Sequence, residues 1–308
     1  MMKTRKVWEL VDPPANKTEI GSEWVYNIKH DEKNKPKKYK ARLVTLGFKQ
    51  KAGIDYGEIF SPVVNFSVVK LMFIVLVLLL GWNHVHLDVK SAYLYGKLNE
   101  KMYLKQSPGV IVKDAESKVY LFHKALYGLH QSGRSWNCEL DHILKDLKFD
   151  KLLWSNCLYE NKDVILVIYV HDIIVFGKTL NDINKTIDLI KSKLDLTELG
   201  PAKYLFGVNF EMNKDLFMHQ KTYIEKLMIK FKELPKSNVN LPIKLGSKLP
   251  EKIEEKDIVE NELMSKFPYR SLIGCLSFMV DRTRPDISFS VNLMSQFSNG
   301  YTFEHGRL

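Results

Sequence analysis

The sequence predicts an α+β fold in which helices cover a mainly antiparallel sheet, and three observations support that class. Apolar residues recur at helical spacing in several segments, for example from Trp136 to Leu147. Strongly apolar segments of strand length lie between them, as in Val164 to Gly177, which reads VILVIYVHDIIVFG. The segments follow the order hairpin, helix, strand, two helices, strand pair and helix, without internal repeats, which is typical of an α+β domain.

The composition allows a large core and favours a polyanionic partner. The chain has 308 residues, 45% of them hydrophobic, enough for one large domain or two modest ones. Lys and Arg number 46 against 36 Asp and Glu, and the net charge of +10 favours nucleic acid or an anionic membrane face. The longest apolar run, Leu71 to Leu80, has about half of the ~20 residues that a bilayer span needs. We therefore expect no membrane-spanning segment.

The cysteines argue against a disulfide framework and against a zinc knuckle. Cys138, Cys157 and Cys275 are odd in number, widely separated and form no CxxC pair. This usage is typical of a reducing compartment. No apolar stretch of signal-peptide length follows the basic start, so the sequence leaves the localisation open.

The first predicted element is a basic hairpin. Lys29 to Lys51 contain nine Lys or Arg against two Asp or Glu, with a turn signal from Asn34 to Pro36 and a strand from Ala41 to Leu46. A solvated charge run is the alternative interpretation.

Later elements follow from periodicity and from helix breakers. We predict a buried helix from Val68 to Leu80 and then a strand that ends at Asp88. Amphipathic helices are predicted from Ser132 and around Ile183 to Leu194. Further predicted elements are a strand pair (Lys203 to Met212 and Leu216 to Met218), a helix (Lys221 to Lys232) and two helices broken by Arg284 and Pro285. These patterns divide the chain into a main domain (1–233), a charged linker (234–262) and a helical segment (263–308).

An ionisable pair, His171 and Asp172, interrupts the most apolar segment of the chain. The simplest interpretation is that both are turn residues of a hairpin. The functional interpretation is that the hairpin carries a carboxylate into a cleft beside Asp88, which ends another apolar strand. Two such carboxylates repel one another, and a hard divalent cation relieves that repulsion.

An alternative is a transition-metal site. His84, His86 and Asp88 alternate along a predicted strand and therefore share one face, to which His171 could add a fourth ligand. The remainder of the chain has no zinc-type ligand spacing.

Several blocks, in order, resemble the reverse transcriptase region of Pol polyproteins from copia-type LTR retrotransposons. These blocks are WELVDPP, YKARLVTLGFKQKAGIDYGEIFSPVV, LDVKSAYLYGKL, KALYGLHQSGRSW, YVHDIIVFG, LTELGPAKYLFGV and YRSLIGCLSFMVDRTRPDISFSV. The resemblance implies a right-hand polymerase, with fingers and palm in 1–233 and a thumb-like or connection-like segment in 263–308. Because an intact element places an RNase H domain after this region, the segment is expected to be an isolated polymerase piece.

The resemblance also implies ligands and partners. Asp88, Asp172 and the backbone carbonyl of Val89 would bind two Mg2+ ions, or Mn2+ in their place. The expected partners are an RNA or DNA template-primer and deoxynucleoside triphosphates, without a membrane, and the oligomeric state stays open. By family, the location would be a cytoplasmic virus-like particle or the nucleus.

The same resemblance implies a nucleotide pocket. Lys40 and Arg42 would grip the triphosphate, since Arg can contact phosphate oxygens in a bidentate manner. Tyr93 would exclude a 2'-hydroxyl, with a core aromatic as its alternative role. Gln131 would line the pocket, with Arg134 nearby.

The largest departure from the family pattern lies in its Tyr-Val-Asp-Asp motif. Here that motif reads Tyr169, Val170, His171 and Asp172, so that His171 replaces the family's principal metal ligand. An imidazole offers a single nitrogen and suits zinc or copper better than magnesium. We therefore expect an impaired polymerase, or else a non-catalytic nucleic-acid-binding remnant of a decayed or domesticated element.

Overall fold

The computed structural model describes residues 5–15, 19–30, 36–107, 109, 111–213, 215–232, 243, 268–299 and 301. Runs of mainly antiparallel strands are separated by helices along these residues, which confirms the predicted α+β class.

The described strands are short and lie in four sheets. In chain order they are β1 (Trp8–Val11), β2 (Glu19–Ile20), β3 (Ser22–His30), β4 (Pro36–Thr45), β5 (Asn83–Val89), β6 (Lys97–Leu104), β7 (Val119–Lys124), β8 (Asp150–Lys151), β9 (Leu158–Glu160), β10 (Val164–Tyr169), β11 (Asp172–Gly177), β12 (Leu196–Gly200), β13 (Tyr204–Leu205), β14 (Val208–Met212) and β15 (Leu216–His219).

The described α-helices are fewer than the strands. They are α1 (Phe66–Met72), α2 (Ser132–Asp146), α3 (Leu180–Lys191), α4 (Lys221–Lys230), α5 (Tyr269–Arg282) and α6 (Ser288–Ser295). A π-helix (Phe73–Leu79) continues α1, and 3-10 turns occupy Gly47–Lys49, Ala92–Tyr95 and Pro285–Ile287. In the described part of the chain, no helix is long and apolar enough to span a membrane.

Contacts between residues divide the chain into two compact units. The first contains Met1–Val64 and Leu80–Pro201, and the second contains Asn65–Leu79 and Ala202–Leu308. The predicted linker (234–262) lies outside the described residues apart from residue 243, so the domain boundaries of the sequence analysis stay a prediction.

The first unit is built on a six-stranded sheet of order β12-β5-β11-β10-β9-β8, whose strand pairs are all antiparallel. Helices α2 and α3 pack on it, and their apolar faces join the sheet in one buried cluster. Trp136, Leu140 and Ile187 belong to that cluster, as their helical spacing predicted. Apart from Asp172 at the start of β11, the central strands β10 and β11 consist of apolar and aromatic residues, glycine included, and most of these residues are buried.

The same unit contains a four-stranded sheet of order β1-β7-β6-β2 and the hairpin β3-β4. The predicted basic hairpin is confirmed, since β3 and β4 pair from Ser22 opposite Thr45 to His30 opposite Pro36. Its predicted turn at Asn34 and Lys35 lies outside the described residues.

Two predictions about elements of the second unit, the buried helix and the long strand, are wrong in part. The segment expected as a buried helix over 68–80 is helical, but Leu71 and Leu79 are exposed, because an apolar run does not specify which face the core will cover. The expected strand from Lys203 to Met212 is instead a hairpin of β13 and β14, which turns at Phe206 and Gly207. Both turn residues have positive φ, a conformation that glycine adopts readily and phenylalanine rarely.

The break at Arg284 and Pro285 is confirmed, because a 3-10 turn there separates α5 from α6.

The three cysteines are free thiols.

Candidate active site

Two aspartates from distant parts of the sequence face each other in the central sheet. Strands β5 and β11 are antiparallel, and their register places Asp88 directly opposite Asp172. On its other side Asp88 lies opposite Thr197 of β12. Cross-strand partners project from the same face of a sheet, so both carboxylates occupy one surface. The expected proximity of the two aspartates is therefore present.

A two-residue turn presents His171 beside these carboxylates. Tyr169 and Asp172 are paired across the hairpin, so Val170 and His171 form its turn, and Asp172 begins the returning strand. The simpler interpretation of the ionisable pair therefore holds for His171 but not for Asp172. Val170 has a φ of 55°, which is rare for a β-branched residue. Such backbone strain persists only where surrounding contacts hold it.

One such contact comes from helix α2. The Trp136 indole Nε1–H donates a hydrogen bond of 2.6 Å to the carbonyl oxygen of Val170. A second comes from β5, where the backbone N–H of Val89 donates to the carbonyl oxygen of His171 at 2.8 Å. Together these bonds attach both turn residues to the unit's core.

The three ionisable side chains of this surface form a potential metal-binding group. His171 Nε2 lies 3.7 Å from Asp88 Oδ1 and 3.9 Å from Asp172 Oδ2. One ligand atom from each residue lies within 4.8 Å of the other two. His171 and Asp88 are half exposed, and Asp172 is more enclosed, so the group is open to solvent on one side.

A buried histidine holds Asp172 from within the protein. His86 Nε2 donates a hydrogen bond of 2.8 Å to Asp172 Oδ1, and His86 is buried. His86 was considered only as a metal ligand in the sequence analysis, and its bond to Asp172 was missed because that bond depends on the register between strands.

His84 does not join this group. Burial lowers its pKa from 6.5 to about 4, and its ring centroid lies 6.1 Å from that of Phe176. His84 thus lies beside Phe176 and away from solvent, and the four-ligand site proposed as an alternative is reduced to His171 and the two aspartates, with His86 behind them.

Two residues predicted to bind nucleotide share a neighbour that the sequence analysis missed. The Arg42 guanidinium carbon lies 5.5 Å from the centroid of the Tyr127 ring, and the Tyr93 and Tyr127 ring centroids are 4.8 Å apart. Burial, and secondarily Tyr127, raises the pKa of Tyr93. Lys40, two residues before Arg42 on the same strand, is partly buried. The structure thus places Arg42 and Tyr93 around one aromatic ring.

The other two predicted nucleotide residues make contacts within the protein. Gln131 is buried, and its amide accepts a hydrogen bond from Gln50 and donates one to the Asp55 carbonyl, both at 3.0 Å. Arg134 forms an ion pair with Glu58. These contacts attach the segment 50–60 to the start of α2, and the nucleotide contacts of Gln131 and Arg134 stay predictions.

The ligand set does not fit a pair of magnesium ions. Mg2+ prefers octahedral oxygen ligands, and two ions side by side need carboxylates that bridge them. Here the turn supplies an imidazole nitrogen, and one oxygen of Asp172 accepts a hydrogen bond from His86. The group therefore offers two carboxylates and one imidazole nitrogen.

Comparison with known proteins identifies the family. The sequence profile described as reverse transcriptase (RNA-dependent DNA polymerase) matches residues 5–244. The chain belongs to this reverse transcriptase family. The family assignment confirms the recognition made from the sequence blocks, including its copia-type character.

The relatives of this reverse transcriptase are transposon polyproteins. The retrovirus-related Pol polyprotein from transposon TNT 1-94 of Nicotiana tabacum is 34% identical over 306 residues, covering 97% of this chain and 23% of that protein. The Pol polyprotein from transposon RE1 of Arabidopsis thaliana is 32% identical, covering 97% and 20%. The Ty1-NL2 Gag-Pol polyprotein of Saccharomyces cerevisiae is 28% identical, covering 93% and 16%. The chain thus spans about a fifth of the length of these relatives.

A solved foamy viral protease-reverse transcriptase, in complex with double-stranded DNA, is also similar. Its TM-score is 0.47 at 11% identity, over 99% of this chain and 44% of that one.

Proposed function

We propose that this reverse transcriptase domain binds a template-primer and deoxynucleoside triphosphates and extends DNA on an RNA template, at a rate much reduced by His171. The observation that carries the proposal is the register that sets Asp88 opposite Asp172, with His171 in the adjoining turn. Family membership supports the reaction class, and the net charge of +10 supports a nucleic acid partner.

The metal requirement follows from the family, which uses divalent ions for nucleotidyl transfer. When bound, such ions would supply electrostatic stabilisation of the transferred phosphoryl group. In this chain Asp88 and Asp172 are the carboxylates that could hold an ion, with the backbone carbonyl of Val89 beside them. Because His171 stands in place of a bridging carboxylate, we expect an ion to be held less well than in an active relative, while the other residues of the chain bind and orient the substrates.

Substrate orientation is assigned to Lys40, Arg42, Tyr93, Gln131 and Arg134. Arg42 and Tyr93 converge on Tyr127, and this supports a pocket in which a cation and an aromatic ring lie close together. Gln131 and Arg134 attach the segment 50–60 to the start of α2, and their assignment to the same pocket rests on the family resemblance.

The size of the defect follows from transition-state arithmetic. An ion-binding carboxylate that contributes ~4 kcal/mol to the transition state corresponds to a rate factor of ~10^3. The His171→Asp variant restores the carboxylate at a half-exposed turn, where the added charge needs no new packing.

Primer extension on an RNA template with Mg2+ or Mn2+ tests this proposal. We expect His171→Asp to extend primers ~10^3-fold faster than the natural chain. Two variants serve as matched controls. The double variant with Asp88→Asn and His171→Asp should lose the increase in extension rate. His142→Asp should extend primers at the rate of the natural chain. If the folded His171→Asp protein binds template-primer without extending it, or if the natural chain is already fast, the proposal is wrong.

A second candidate function is non-catalytic nucleic acid binding by a remnant of a decayed or domesticated element, which the presence of His171 in the turn favours. Fluorescence anisotropy with a labelled template-primer separates the two functions when it is combined with primer extension. Binding without extension in both the natural chain and His171→Asp supports this second function.

A further inference from the structure

The group formed by Asp88, His171 and Asp172 has a ligand composition that differs from an all-carboxylate site. It presents two carboxylate oxygens and one imidazole nitrogen, and the three ligand atoms lie within 4.8 Å of one another. Transition-metal ions such as Zn2+ accept this mixture of ligands, whereas Mg2+ favours oxygen alone.

The spacing of the group suits a single ion. Zn–N and Zn–O bonds are ~2.0–2.2 Å long, so two ligand atoms of a tetrahedral site lie roughly 3.3 Å apart. The two separations from His171 Nε2, 3.7 Å to Asp88 Oδ1 and 3.9 Å to Asp172 Oδ2, exceed that value by about half an ångström. The three ligand atoms all lie within 4.8 Å of one another, so rotation of the half-exposed His171 and Asp88 side chains toward the more enclosed Asp172 would bring them to bonding distance, and the open side of the group leaves a position for water.

The buried His86 contacts one of the three ligands from the side of the protein core. His86 donates to Asp172 Oδ1, and the nearer carboxylate oxygen to His171 is the other one, Oδ2. Hydrogen-bonded outer partners of this kind orient metal ligands, and their loss weakens metal affinity ~10–100-fold. His86 is therefore a positioning residue for the ligand Asp172.

From these observations we infer that Asp88, His171 and Asp172 bind one transition-metal ion of the zinc type, with His86 orienting Asp172. The inference rests on the proposed function in that the same two carboxylates are assigned to metal binding. It replaces the expected pair of magnesium ions with a single ion of another class. Its readout is metal affinity, which does not require polymerase activity.

Cobalt binding to the full chain tests the inference directly, because Co2+ substitutes for Zn2+ and absorbs visible light in a way that depends on its ligands. The chain is first freed of metal with a chelator and then titrated with Co2+, Zn2+ and Mg2+ separately. We expect one equivalent of Co2+ to give visible absorption bands that Zn2+ abolishes and that millimolar Mg2+ leaves unchanged. In the His171→Ala variant the bands should disappear, and in the His86→Ala variant the Co2+ affinity should fall ~10–100-fold.

Two further variants make the result specific to this group. His142 is an exposed histidine near Asp146 on α2, so His142→Ala controls for binding by surface histidines and should keep the bands. His171→Asp should lose the bands and gain Mg2+ affinity. Far-ultraviolet circular dichroism shows that each variant is folded.

The two proposals fail in different ways. Bands that persist in His171→Ala, or equal Mg2+ affinity in the natural chain and His171→Asp, would overturn the metal assignment, and primer extension by His171→Asp would still stand. Cobalt bands without any primer extension by His171→Asp would support the metal site and contradict the polymerase function.

Discussion

The bond between Trp136 and the turn at Val170 gives the most quantitative prediction. Replacing Trp136 with Phe removes the indole N–H that donates to the Val170 carbonyl at 2.6 Å. A carbonyl left without its partner costs ~1–3 kcal/mol where water cannot replace the donor. The smaller ring also leaves part of the core unfilled, at ~1 kcal/mol, because Trp136 is almost fully buried. We therefore expect Trp136→Phe to lower the free energy of unfolding by ~2–4 kcal/mol.

Urea unfolding followed by circular dichroism measures this loss. Phe149→Leu is the matched control, because Phe149 is equally buried in the same cluster and the substitution removes aromatic carbons without a hydrogen bond. The control should cost ~1–2 kcal/mol. If Trp136→Phe costs no more than Phe149→Leu, the bond to Val170 contributes nothing to stability and our account of the strained turn is wrong.

Two other predictions concern an ion-pair cluster and a backbone contact. Burial acts to raise the pKa of Asp141, but hydrogen bonds from Lys145, Lys151 and Tyr159 lower it from 3.8 to about 2. The stability that this pKa shift gives is present above pH ~4 and is lost as the pH falls toward 2. After allowance for solvent screening, Asp141→Asn should lower the free energy of unfolding in urea by ~1 kcal/mol at pH 7 and by almost nothing near pH 2. An equal loss at both pH values would contradict the role of the ion pairs. Gly128 has a φ of 98°, and an added Cβ would lie 2.1 Å from the Thr45 carbonyl oxygen, so Gly128→Ala should lower the melting temperature with a loss of ~3 kcal/mol. Gly133→Ala is its control, since that Cβ would meet Ser61 at an ordinary 3.4 Å and should be neutral or stabilising; similar melting temperatures for the two variants would refute the argument.

Local sequence patterns were sufficient to predict the strands that carry the two aspartates. The segments on either side of His171 could be recognised because buried central strands are apolar on both faces, and the strand before Asp88 because polar and apolar residues alternate along it. Their adjacency could be proposed because both carboxylates end such strands. The register that sets Asp88 opposite Asp172 is a property of two distant segments, and no local pattern specifies it.

For the same reason the bond between His86 and Asp172 could not be predicted from the sequence. A histidine two residues before Asp88 is recognisable as lying on the same face, but its partner depends on which strand pairs with β5. The contacts of Gln131 with Gln50 and Asp55 were also missed, since they join segments about 80 residues apart.

The sequence contained a signal against the wrong prediction of a single strand from Lys203 to Met212. Gly207 interrupts an otherwise apolar strand pattern, and a glycine in that position often marks a turn. The exposure of Leu71 and Leu79 had no such signal, because an evenly apolar helix does not indicate its covered face.

Because His171 is half exposed, a substitution at this position can change the metal ligands without changing the contacts that stabilise the fold. Its side chain is 50% exposed, and the bonds that secure the turn join backbone atoms of Val170 and His171 to Trp136 and Val89. Exchanging histidine and aspartate at this site therefore removes none of the backbone hydrogen bonds that secure the turn. A copy of the element that lost this aspartate would still produce a stable protein, so cellular quality control, which responds to unfolding, would not remove it.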